Sequence, residues 1–293
     1  MEIQIPLILF VAFCAASAGI FASQAVLALK GEGKEVQVPS LIASLAALAI
    51  GGISVLFHLA QPLHIFNGFG NPTSGITQEL VAIVIFAVIM LVYFIMLRRN
   101  ENEVPKWCAV LAIIISVVLV IVCSHSYMMS SRPAWDTFIQ ILSVLGGACA
   151  VGPAVVAAVA GFVKVESKTL PLLMLIGAAI GLVTTLIYLV VMQGTGSSFT
   201  TFGTTYIDPT NPTAVPFDAS AVSAFSGEAV APTWIAIIAG IAAVICAYMA
   251  RRTNDLKVWG IATAVCALVC AIALRITFYV LGFAIYNFYG ITG

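Results

Sequence analysis

Charge is what this sequence has least of. Asp, Glu, Lys and Arg together make up 8% of its 293 residues, while 62% are hydrophobic and the mean hydropathy is +1.13. A soluble domain carries roughly a quarter charged residues, so a water-soluble or disordered chain is excluded. The 12 basic and 12 acidic residues balance, leaving no basic surface for nucleic acid. Seven cysteines (14, 108, 123, 149, 246, 266 and 270) all fall in apolar runs without a CxxC spacing, which argues against disulfides and against metal clusters held by this chain. No basic n-region precedes the first apolar segment, which is too long for a signal-peptide core and therefore reads as a retained helix. What remains is a polytopic membrane protein.

Apolar segments of about 20 residues cross the hydrocarbon as helices. Eight are legible: Ile5 to Leu29, Leu41 to Leu59, Ile76 to Leu97, Trp107 to Met129, Phe138 to Val163, Leu170 to Met192, Thr233 to Ala250 and Val258 to Phe288. The expected fold is an all-α integral membrane bundle of eight transmembrane helices, a single domain over 1–293. Taking alternate links, one side holds Lys30, Lys34, Arg98, Arg99, Lys106, Lys164, Lys168, Arg251, Arg252 and Lys257, and the other only Arg132. By the positive-inside rule both termini lie on the outer, extracytoplasmic side, with a long outer loop at 194–231 that offers either a docking surface or a tether. Small residues four apart (Ala15, Gly19, Ser23; Ala43, Ala47, Gly51; Gly177, Gly181) suit close helix packing, and Pro153 is expected to kink the fifth helix.

Against this background the few ionisable residues within or beside the spans stand out. A rise of about 1.5 Å per residue, counted from each inner helix end, brings His58, Glu79, His125 and Arg275 to one outer level, about 27 to 29 Å away. Ionisable groups at that depth are functional candidates by default. A histidine exchanges protons near neutral pH, a carboxylate serves as base and an arginine supplies permanent donors; together they are what binding and deprotonating a quinol requires. Each also has a plain reading. Glu79 would favour the positive end of the third helix, with Thr73 or Ser74 as cap. The two histidines would be interfacial polar residues, and Arg275 would snorkel. His64, Asn67 and Arg132 are ordinary loop residues, and Trp135, Tyr286 and Tyr289 fit an interfacial aromatic belt. Haem ligation by His58 and His125 is a competing use.

The link between the second and third helices, HLAQPLHIFNGFGNPTSGITQE (58–79), resembles the signature of the dimethyl-sulfoxide-reductase membrane-anchor family: a histidine-leucine-small-x-proline step, a Phe-Asn pair and a short loop leading to a glutamate. The likeness continues through SHSYMMSSRPAW, the GP pair of the fifth helix, MQG ending the sixth and LRITFY in the last. The resemblance implies a non-catalytic, quinol-oxidising anchor subunit in a bacterial inner membrane. That subunit carries no metal of its own and passes electrons from menaquinol to an iron–sulfur subunit and a molybdopterin catalytic subunit docked on the outer face. It implies quinol binding at His58 and Glu79, with Asn67 and Arg275 as neighbours. His125 departs from the family pattern, where arginine is expected. The rival expectations are a small-solute transporter, which predicts internal repeats and polar residues near the midplane, a haem-bearing quinol cytochrome, and an anchor without a quinone site.

Overall fold

The computed structural model describes residues 3–59, 70–198 and 222–284. Eight helices long and apolar enough to cross a membrane account for most of them: α1 Ile5–Lys30, α2 Lys34–Leu56, α3 Gly75–Arg99, α4 Lys106–His125, α5 Phe138–Val163, α6 Thr169–Gly194, α7 Val230–Thr253 and α8 Leu256–Val280. The chain is a multi-pass membrane protein, and its surface agrees. Ile42, Val84, Val88, Leu91, Val190 and Ile238 stand exposed along the helices, a continuous apolar coat that water would not tolerate.

Two helix starts and ends differ from the hydropathy reading. The stretch read as a link, 34–40, is already α2, because Pro39 sits near the helix start, where its missing N–H forfeits one bond. The fourth helix stops at His125, short of Met129, and residues after it form a turn-rich loop. The last helix ends at Val280, and the remainder of its expected span from residue 285 lies outside the described residues.

Successive helices turn back on one another, so α1, α3, α5 and α7 begin at the end where α2, α4, α6 and α8 finish; we call this the upper end. Helices α1 and α5 hold the middle of the bundle, with buried residues on most of their length. Without a hydrophobic drive between helices in lipid, close approach supplies the attraction. A side chain on Gly152 would overlap the Gly19 carbonyl group, and one on Gly177 would overlap the Cys149 carbonyl. That second contact has a local cause: α5 runs unbroken through Pro153, which has no N–H to offer the carbonyl four residues back, and Gly177 of α6 closes over it. Polar pairs add register between α1 and α2: Ser17 with Ser44 at 3.0 Å, and Gln37 Nε2 donating to the Gln24 carbonyl at 3.0 Å, with Tyr93 Oη donating to Gln37 Oε1 at 2.8 Å. Replacing Gly152 with valine should therefore lower stability by at least about 3 kcal/mol, because backbone rather than a flexible side chain blocks the methyl groups. Thermal unfolding in detergent reads this out, and a midpoint within 1 °C of the parent would refute the tight crossing.

At the lower end the α1–α2 link is tied to the start of α6. Glu32 accepts from Ser167 Oγ at 2.6 Å, Thr169 Oγ1 at 2.7 Å and Thr169 N at 3.4 Å. These donors, Ser167 first, hold the Glu32 carboxyl below its ordinary range despite partial burial, as expected for an anion at a helix start.

Candidate functional site

Glu79 lies in the second turn of α3 and is 8% exposed. Ser74 forms the N-cap without a side-chain cap bond, and the Glu79 side chain turns inward to α4's exit, where Ser126 Oγ donates to Glu79 Oε1. The two ends meet because residue 75 is glycine: a Cβ there would stand 2.9 Å from Ser126 Cβ. A carboxylate placed only to complement the helix dipole would face the headgroups; this one faces the bundle.

Arg275, in the penultimate turn of α8, is 6% exposed. It acts on Glu79 through space without a direct ion pair. Its guanidinium lies 4.7 Å from the Phe278 ring centroid and 5.5 Å from that of Tyr127, and its Nε and Nη2 have no hydrogen-bond partner. It lines an internal cavity of about 30 Å³ with Ser143, Tyr188 and small residues of α1. Unused donors on a buried cation are costly unless something is meant to receive them.

A lid of residues 126–137 covers this pair. Trp135 is buried and stacks flat on Phe278, centroids 4.5 Å apart and planes 6° from parallel, while Arg132 lies 4.6 Å from the Trp135 centroid. The result is a cation, two stacked rings and a second cation. Trp135 Nε1 donates to the Phe278 carbonyl at 2.7 Å, Arg132 Nη1 donates to the Gly282 carbonyl, and Tyr188 Oη donates to the Ala134 carbonyl at 2.9 Å. Gly282 is needed here, since a Cβ would come 2.5 Å from the indole. Trp135 is thus a buried stacking residue rather than part of an interfacial belt; Tyr286 and Tyr289 lie outside the described residues.

A family of unknown function, DUF4064 (Protein of unknown function), matches residues 166–273. No curated protein matches the chain. The matched stretch runs from the link before α6 into α8 and stops short of Arg275. It contains none of the upper-end residues His58, Glu79 and His125, so it says nothing of their role.

Of the residues singled out in the sequence, Glu79 and Arg275 come together as buried neighbours. His58, one residue past the α2 C-cap, and His125, the last residue of α4, are both exposed and do not enter that core. All four lie near the upper-end termini of their helices, but only two are buried. His125 is followed by Ser126, whose hydroxyl turns inward to Glu79. Asn67 and His64 lie outside the described residues, as does most of the long loop, of which Ser223 Oγ and Ala224 N engage Gln193 Oε1 at 2.8 and 2.9 Å. Ser126 and Tyr127 escaped the sequence reading as site residues, and Trp135 was placed in the belt. A serine, a tyrosine and a tryptophan beside a helix end are ordinary at a membrane surface, and only the fold turns them inward. Tyr279 joins the group: its Oη is buried without a hydrogen bond of good geometry, beside Tyr127, whose ring centroid is 6.5 Å away.

Proposed function

We propose that the chain is the quinol-oxidising membrane anchor of a molybdopterin oxidoreductase of the dimethyl-sulfoxide-reductase type, with its upper end outside the cytoplasm. The observation that supports this most is the burial of Glu79 beside Arg275 at one end of the bundle, held by Ser126 but not neutralised by an ion pair. Such a carboxylate, buried beside a guanidinium, is placed to accept a proton.

The cavity at Arg275, about 30 Å³, is far smaller than the roughly 150 Å³ that takes a benzene ring. The quinol ring therefore lies beyond it, and Arg275 acts through its field on Glu79 rather than by direct donation. Oxidation releases two protons and two electrons. Glu79 accepts a proton from one hydroxyl, and His58, exposed at the surface, passes protons to the outer water. An iron–sulfur cluster in a partner subunit over the upper-end loops would accept the two electrons and supply them to the catalytic subunit. The excess of basic residues in the lower-end links supports this orientation, with both termini outside; menaquinol as the substrate class and the bacterial inner membrane follow from the family resemblance. Proton release and reduction on one side would build no membrane potential.

Substituting His58 with glutamine should lower quinol-driven turnover of the assembled complex about tenfold, the modest loss expected when an exposed proton carrier is replaced by water. Turnover from an artificial donor that reduces the partner subunits directly should be unchanged. Equal losses by both routes, or none, would remove His58 from the reaction.

A further inference from the structure

The lower end carries a second feature that the quinol reading does not use. Between the ends of α1, α2 and α4 opens a pocket of about 370 Å³, large enough for a lipid headgroup. Lys30, Lys34 and Lys106 line it, and two carboxylates, Glu32 and Glu103, stand among them. Both acids are committed elsewhere. Glu103 pairs with Lys34, and Glu32 spends its oxygens on Ser167 and Thr169 at the start of α6. Lys30 reaches Glu32 only through space, and Lys106 has no hydrogen-bond or ion-pair partner among the described residues. Lys34 and Lys106 are moreover the first residues of α2 and α4, so the positive ends of two helices add to the field.

A neighbouring pocket shows what a balanced site looks like. It holds about 260 Å³ between the ends of α5 and α8, with Lys164 and Lys257 facing Glu166 and Asp255. Lys257 lies 4.6 Å from the Phe162 ring centroid, and Asp255 caps α8 by accepting from Val258 N at 3.1 Å. There the charges cancel two against two. In the first pocket three lysines face two carboxylates, so one positive charge remains over.

We propose that the α1–α2–α4 pocket binds the phosphodiester headgroup of an anionic phospholipid, with Lys30 and Lys106 as its ligands. The phosphate chemistry follows from the net positive charge and from two ammonium groups without a direct hydrogen-bond or ion-pair partner among the described residues, and the lipid source follows from the rest of the wall. Ala28, Leu29 and Val104 form an apolar flank, and Trp107, next to Lys106, is 56% exposed at the same level, the usual partner of a lipid's glycerol region. A free phosphate would leave that flank bare. Basic pockets between helix ends at a charged leaflet are the expected place for such headgroups. The inference does not depend on the quinol reading.

The test uses the full chain in detergent, titrated with phosphatidylglycerol or phosphatidylcholine while thermal unfolding is followed, and native mass spectrometry to count retained lipids. Phosphatidylglycerol should raise the unfolding midpoint saturably and phosphatidylcholine should not. The double variant K30Q/K106Q should need about thirtyfold more phosphatidylglycerol for half-saturation, and each single variant about fivefold. The K164Q/K257Q control should stay within about twofold of the parent, since its pocket is already balanced. Equal stabilisation by both lipids, equal loss in both double variants, or the same stabilisation by inorganic phosphate would each overturn the assignment. Because the lysines are exposed, the variants should fold, and the single substitutions keep the test decisive if the double does not.

Discussion

Replacing Glu79 with glutamine should lower quinol-driven turnover of the assembled complex by two to three orders of magnitude and leave turnover from an artificial donor unchanged. Glutamine keeps the size of the side chain and an oxygen to accept from Ser126, so the lid and the α3–α4 contact survive. What is lost is the carboxylate's capacity to take a proton, and a positioned general base contributes roughly 10²–10⁴-fold. Aspartate at the same place should recover part of the rate, because the base returns at a shorter reach. Loss by both electron routes would indicate that assembly had failed, and a glutamine variant with parental quinol turnover would remove Glu79 from the chemistry altogether.

Replacing Arg275 with methionine should separate function from stability. Quinol-driven turnover should fall about a hundredfold, because the buried cation beside Glu79 is lost; removing such a field at a reacting group is worth about 10²-fold or more. The fold should not suffer in proportion. Two guanidinium nitrogens are buried without partners, and exchanging an unsatisfied buried charge for an apolar side chain of similar length is often neutral or stabilising. The ring contacts to Phe278 and Tyr127 offset this by about 1 kcal/mol each, so the net change in stability should stay within about 2 kcal/mol. Thermal unfolding and the quinol assay on one preparation check both halves. A variant that unfolds readily while its residual folded fraction oxidises quinol normally would make Arg275 a structural cation held by Phe278 and Tyr127.

The Arg132–Trp135–Phe278–Arg275 ladder explains how a charged side chain stays where it is without hydrogen bonds for two of its nitrogens. Trp135 is clamped from below by Phe278 and from above by Arg132, and the indole N–H is spent on the Phe278 carbonyl. The loop after α4 thus fastens to the exit of α8, and Ser126, at the foot of the same loop, is carried to Glu79.

How much of this could be read in advance differs sharply between the spans and the site. The helices α1, α3, α5 and α6 were legible almost to the residue, because a run of twenty apolar residues has no other stable arrangement in hydrocarbon than a helix with its backbone bonds closed internally. α2 was misread at its start, where 34–40 is polar enough to pass for a link but takes the helix all the same. Gly19 and Gly177 were legible as small residues at fixed spacing, although their targets, the carbonyls of Ala148 and Cys149, were not.

Composition and hydropathy by themselves determined that this is a membrane bundle of eight spans and that a handful of ionisable residues gather toward one end of it. Helical rise is a local quantity, so depth survives translation from sequence to space. Rotation about each helix axis is set by neighbours, and so only the tertiary structure decided that Glu79 and Arg275 turn inward, that His58 and His125 turn outward, and that Ser126 and Trp135 complete the core between them.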